Sequence, residues 1–109
     1  INDSIVNLSD KARLGQIEPN EMLGGTFTIS SLGGIGGKFF TPIINYPEVS
    51  IIGISRAYTK IELDSHDLPF KTKVLPFSLS YDHRVIDGAE AARFCNLFKK
   101  ILTELSSLE

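Results

Sequence analysis

Apolar residues recur along this chain at two spacings, and the change from one to the other divides it into elements. Ile1, Ile5, Leu8 and Ala12 repeat at helical spacing, with Asn2, Asp3, Asp10 and Lys11 off that face. The pattern predicts a helix to about Leu14, closed by Gly15 as a left-handed cap, with an apolar stripe made for docking. Glu18-Pro19-Asn20-Glu21 reads as a turn, or as one helical turn with Pro19 near its start. After Gly24-Gly25 the spacing becomes two. Phe27 and Ile29 point one way, Thr28 and Ser30 the other, which predicts a strand over Thr26 to Ser31 with one apolar face.

Phe39 to Tyr46 is apolar but carries Pro42, so it reads as an edge segment or an irregular connection. Val49 to Ile54 is a β-branched run and predicts a buried strand. Alternation continues from Arg56 to Leu63, and Asp64-Ser65-His66-Asp67 reads as a hairpin tip. Phe77, Leu79 and Tyr81 form one face of a last strand, with Ser78, Ser80 and Asp82 on the other. From Ala89 to Leu108 the spacing is helical again. Ala91, Phe94, Cys95, Phe98, Ile101, Leu102, Leu105 and Leu108 make the stripe, and Lys99, Lys100 and Glu104 lie outside it.

Composition narrows the class. The 109 residues suit one small domain, and 42% hydrophobic with 22% charged residues suits a globular chain. A net charge of -2 and a pI near 5.7 argue against a general basic field for nucleic acid or acidic lipid. One cysteine, Cys95, rules out an intrachain disulfide framework and fits a reducing compartment. There is no apolar run of about 18 residues to span a membrane, and no signal-peptide pattern is visible. The chain opens at Ile1 with what reads as mid-helix sequence, so it is expected to be a piece of something longer.

The chemistry concentrates in Ser80-Tyr81-Asp82-His83-Arg84-Val85-Ile86-Asp87-Gly88, at a strand-to-helix junction. A rigid turn there can hold an imidazole towards a ligand, and histidine is suited to accept a proton near neutral pH. Spacing alone leaves two readings of His83 level: a proton acceptor, or a structural histidine at a helix entrance. Asp87 has its own structural reading, since Asp87-Gly88-Ala89-Glu90 has capping-box spacing. No Gly-x-Ser-x-Gly elbow supports a serine triad. Gly33-Gly34-Ile35-Gly36-Gly37-Lys38 lacks the glycine spacing of both nucleotide loops, so it reads as a turn with positive φ or as a place of close backbone approach to a ligand. Asp64, His66 and Asp67 read as a solvated turn, not a metal site, and Cys95 as core, not nucleophile.

Asp82-His83-Arg84-Val85-Ile86-Asp87-Gly88 resembles the active-site motif of the dihydrolipoamide acyltransferases, the E2 core enzymes of 2-oxo acid dehydrogenase complexes, and the shorter His-x-x-x-Asp-Gly motif of chloramphenicol acetyltransferase. Gly24 to Gly33, Phe40 to Asn45, Pro47-Glu48-Val49, Ile52-Gly53, Leu79-Ser80-Tyr81 and Gly88 to Phe94 follow the same family in order, and Lys11-Ala12-Arg13 and Glu21-Met22 extend the likeness. The resemblance covers essentially the whole chain. It implies a chloramphenicol-acetyltransferase-like α/β fold, a two-layer mixed sheet with helices, of which residues 1–109 are the C-terminal part of a single catalytic domain. Lipoyl and peripheral-subunit-binding domains would lie outside it. It also implies homotrimers built into a larger shell, active sites between neighbouring subunits, E1 and E3 component enzymes as partners through those other domains, and no nucleic-acid or membrane partner. The expected location is the bacterial cytoplasm, or the mitochondrial matrix in a eukaryote.

The resemblance further implies transfer of an acyl group between the thiol of a lipoyl-lysine arm and coenzyme A. His83 would take the thiol proton, Ser30 would donate to the tetrahedral oxyanion with Ser31 the weaker candidate, and Asp87 would hold the turn. Asp82 and Arg84 would brace it as a charge pair. Coenzyme A is then a substrate, lipoate belongs to another domain, and no metal is called for. Val85 to Phe94 and Ser30 to Gly33 look more like the acetyl-transferring members, those of pyruvate dehydrogenase, than the succinyl- or branched-chain-transferring ones. A non-catalytic scaffold piece is the alternative of a different class.

Overall fold

The computed structural model describes residues 1–106, and the end of the predicted last helix, Leu108 included, lies outside the described residues. Helix α1 spans Asn2–Arg13. Leu14 caps it, and Gly15 follows at φ 68, the left-handed position expected of it. Pro19–Met22 is a short 3₁₀ turn closed by a reciprocal Glu18–Glu21 capping box. Lys11 Nζ meets Glu21 Oε1 at 2.6 Å and ties this turn to α1.

The centre is a three-stranded sheet of β1 (Thr28–Ser31), β2 (Ser50–Ile54) and β5 (Phe77–Tyr81), with β2 in the middle. β1 runs parallel to β2 and β5 antiparallel. The register sorts side chains by face. Ile29, Ile52 and Leu79 stand in one row; Ser30, Gly53 and Ser78 stand in the next, on the opposite face. Helix α2 (Gly88–Ser106) lies over the first face, with the Phe77 ring edge-on to Phe98 at 4.9 Å. Ile52 is 2% exposed, as a central β-branched strand predicts. The irregular 39–46 segment crosses the other face. A Cβ on Gly53 would stand 2.6 Å from Phe40 Cζ, so glycine is what lets that ring lie on the strand.

The alternation after Arg56 forms a strand of its own that ends in the expected hairpin tip. β2 ends at Ile54, and β3 (Tyr58–Leu63) pairs only with β4 (Pro69–Val74) in a separate two-stranded arm. In β4, Phe70, Thr72 and Val74 share one face and Lys71 and Lys73 the other. At the arm's tip Asp64 Oδ1 accepts the N–H groups of His66 and Leu68, so that carboxylate serves the turn.

The predicted apolar stripes form but are only partly covered. Within α2, Ala91 is buried and Cys95, Phe98 and Leu102 are half-buried, whereas Ile101 and Leu105 stay exposed. None of the α1 residues is buried, and Ile5 and Val6 lie open. Likewise Ile29, on the apolar face of β1, is 66% exposed, because β1 is an edge strand beyond the reach of α2. Among the described residues the buried apolar core is Ile51, Ile52 and Ala91. No described helix is long and apolar enough to cross a membrane.

Candidate active site

β5 ends at Tyr81, and the next six residues turn the chain into α2. Asp82 N–H donates to Val49 O at 2.8 Å, anchoring the turn beside the start of β2. Asp82 O accepts Val85 and Ile86 N–H at 3.0 and 2.9 Å. At the far end Asp87 Oδ1 accepts Glu90 N–H at 2.8 Å, which makes Asp87 the N-cap of α2. This is the structural role that the capping-box spacing predicted. The helix and the strand thus clamp the turn from both sides.

His83 sits between these clamps with its side chain exposed. The ring lies 5.6 Å from that of Tyr81, whose hydroxyl reaches below Gly88. Beside it, the Arg84 guanidinium forks onto Asp82: Nε to Oδ1 at 3.0 Å and Nη2 to Oδ2 at 2.8 Å. These bonds and the Arg84 N–H hold the Asp82 carboxyl at about 2, well below the usual carboxylate range, and raise Arg84 in turn. A depressed carboxyl contributes to stability above its unfolded value of 3.8 and loses that contribution as pH falls through about 2. The pair is consequently fully formed at neutral pH, and the expected charge bracing is present.

Ser30 lies elsewhere. It is half-buried on β1 and pairs with Gly53, which pairs with Ser78. Tyr81 is three residues further along β5, so Ser30 and the start of the histidine turn are separated by two strand spacings across and three residues along, roughly 14 Å. Within one chain the turn brings together His83, Asp87, Asp82 and Arg84, and leaves Ser30 outside their reach. Ser31 differs from Ser30 in two ways: it is exposed, and its Oγ accepts the Gly33 N–H at 3.4 Å. The glycine-rich segment forms a turn with Gly36 and Gly37 at positive φ, and Lys38 Nζ stands 4.8 Å from the centre of the Tyr58 ring.

Beneath the turn, Phe27, Ser50, Leu79, Ile86, Glu90 and Phe94 line a largely apolar cavity of about 220 Å³. Its position against Ile86 could not be read from the sequence, because its walls come from the residue before β1, from β2 and β5, from the turn and from α2. Glu48 was also missed: its carboxylate accepts Thr28 Oγ1 at 2.7 Å and Asn45 Nδ2 at 3.2 Å, fixing the start of β1 to the segment before β2. The only sequence signal for that contact is a lone acid ahead of an apolar strand.

The model of the family described as 2-oxoacid dehydrogenases acyltransferase (catalytic domain) matches residues 1–109. The chain belongs to this acyltransferase family. It is 50% identical over 104 residues to the dihydrolipoyllysine-residue acetyltransferase component of the pyruvate dehydrogenase complex of Cupriavidus necator, covering 95% of this chain and 19% of that protein. The component of the same name from Buchnera aphidicola subsp. Acyrthosiphon pisum is 46% identical over 108 residues, 99% of this chain and 27% of that one. This acyltransferase chain therefore spans about a fifth to a quarter of the length of these curated relatives.

Solved structures agree on the fold. One, from work on the roles of a serine, a histidine and an asparagine in the catalytic mechanism of Azotobacter vinelandii dihydrolipoamide acetyltransferase, superposes with a TM-score of 0.88 at 45% identity. It covers 96% of the present chain and 43% of its own. The cubic core of a pyruvate dehydrogenase multienzyme complex matches with the same TM-score at 44% identity, again covering 43% of that chain. The expected α/β acyltransferase fold is thus the observed one.

Proposed function

We propose that the protein containing this chain is a dihydrolipoyllysine-residue acetyltransferase, and that residues 1–109 are the C-terminal part of its catalytic domain. The observation that carries the reading is the exposed His83 imidazole on a doubly clamped turn, in a chain half identical to acetyltransferase components across nearly all its length.

In the reaction His83 takes the proton of the coenzyme A thiol. A free thiol of pKa about 8.5 is mostly protonated at neutral pH, so a positioned base raises the thiolate available for attack. The sulfur adds to the acetyl carbonyl of the lipoyl thioester. The tetrahedral oxyanion accepts a hydrogen bond from Ser30 Oγ, the carbon–sulfur bond to the lipoyl arm breaks, and the imidazolium returns its proton to the departing sulfur. Nothing is oxidised and no acyl-enzyme is formed, so Cys95, half-buried in the α2 face, needs no part.

The distance between Ser30 and the His83 turn gives the assembly a chemical purpose. One carbonyl touches both groups only if they come from two copies of the chain. We therefore place each site between neighbouring subunits of a trimer, itself part of a larger shell like the cubic core of the structural relative. The E1 and E3 component enzymes would be bound through domains outside this chain.

Asp87 acts through the cap. The histidine and asparagine named for the Azotobacter protein are four positions apart, the spacing of His83 and Asp87. Asparagine and aspartate cap helices about equally well. Asp87→Asn should keep most of the turnover number, whereas Asp87→Ala should cost about 1 kcal/mol of stability and lower turnover, read by thermal unfolding and steady-state kinetics.

The function itself is tested by giving the full-length protein coenzyme A with either S-acetyl- or S-succinyl-dihydrolipoamide and following acyl-coenzyme A. Acetyl transfer should dominate. A preference for succinyl would overturn the acetyl assignment, and no transfer of either would overturn the enzymatic reading.

A further inference from the structure

We infer that Asp82 is the positioning residue for His83: its backbone and carboxylate, held by Arg84, fix the path of the chain on both sides of the imidazole. The inference rests on the reading of His83 as proton acceptor and adds to it a residue on which that role depends.

Six hydrogen bonds converge on Asp82. Its N–H reaches Val49 O, before the turn; its carbonyl oxygen takes Val85 and Ile86 N–H, after it. Its Oδ1 takes the Arg84 N–H at 3.0 Å, and the guanidinium supplies the other two bonds. Five of the six, those from Arg84, Val85 and Ile86, close over His83, and the sixth ties Asp82 itself to Val49. The Asp82 side chain is 20% exposed and that of Arg84 89% exposed. Pairs so open to water add little to global stability. What this pair does is local: it folds Arg84 back over Asp82, and the backbone between them has one course to follow.

The same bonds exclude a different role. Both Asp82 carboxylate oxygens are occupied by Arg84, so neither is turned to the imidazole as the acid of a dyad. Asp87 is committed to the first turn of α2. The Tyr81 ring lies beside the imidazole, 5.6 Å between centroids. Orientation of His83 therefore comes from the backbone on either side of it, and Asp82 is where that backbone is tied.

The test uses the assembled full-length protein and two measurements, steady-state acetyl transfer and amide hydrogen exchange across residues 82–86. Asp82→Ala should lower kcat about ten- to a hundredfold, as expected for a misplaced base. The KM for coenzyme A should hold, and exchange at Arg84, Val85 and Ile86 should speed up. Asp82→Asn keeps an oxygen for the Arg84 N–H, so it should recover most of kcat and the protection at Arg84. Should Asp82→Ala fail to assemble, Arg84→Gln carries the same test with a smaller loss. Normal kcat in both Asp82→Ala and Arg84→Gln would overturn the inference. So would an Asp82→Asn protein that is fully protected yet as slow as Asp82→Ala, because charge and not position would then be needed. If the wild-type protein transfers no acyl group, the functional reading fails, and unchanged exchange in Asp82→Ala would still decide separately against this one.

Discussion

His83→Ala in the full-length protein should lower kcat by roughly 10²–10⁴-fold, the usual worth of a positioned acid–base group. The mass of the assembled particle should not change. The separation of the two effects follows from the turn. The His83 side chain is exposed and carries none of the hydrogen bonds that hold residues 82–87, which run through Asp82 and Asp87. Alanine can therefore replace it without loosening the strand or the helix. Steady-state kinetics beside a mass measurement checks both halves, and near-normal turnover would remove the imidazole from the mechanism.

Ser30→Ala should also act mainly on kcat, by about 10²–10³-fold or about 2.7–4 kcal/mol of barrier, because an oxyanion donor is used in the transition state and not in binding. A change confined to KM would argue against that role. Ser31→Ala is the control. The serine-to-histidine spacing of the Azotobacter protein equals that of Ser31 to His83 and is one residue shorter than that of Ser30, so assigning Ser30 requires one extra residue in a connecting loop. The Ser31 Oγ accepts the Gly33 N–H but keeps its own O–H to donate, so the kinetics of the two alanine variants decide between the serines. Mixing adds a sharper test. Particles reassembled from Ser30→Ala and His83→Ala chains should regain activity, because some sites between copies would then contain both native residues. Sites formed within one chain would regain none.

Much of this was legible in the residues, for identifiable reasons. The β2 run from Val49 to Ile54 is read correctly because a central strand leaves no face for polar residues. The cap at Gly15 and the Asp87 N-cap follow from local chemistry that no distant contact overrides. Where the reading fell short, the cause is tertiary. Continuing alternation past Arg56 says nothing about which sheet a strand joins, and β3 leaves for its own arm. Likewise, the stripes on α1 and α2 predict apolar faces but not what covers them, and Ile5 and Leu105 remain in the open. The site divides the same way. The histidine turn is contiguous in sequence and could be read whole. The distance from it to Ser30 is set by strand register, which only coordinates supply.

The Phe40 ring occupies the volume a β-carbon at position 53 would need, on the sheet face that carries Ser30. Even an alanine there would have to lift an aromatic off the sheet beside the proposed oxyanion donor. Residues 40 and 53 should accordingly vary together, and a single hydrogen atom in the middle of β2 sets how far the sheet face around Ser30 can be reshaped.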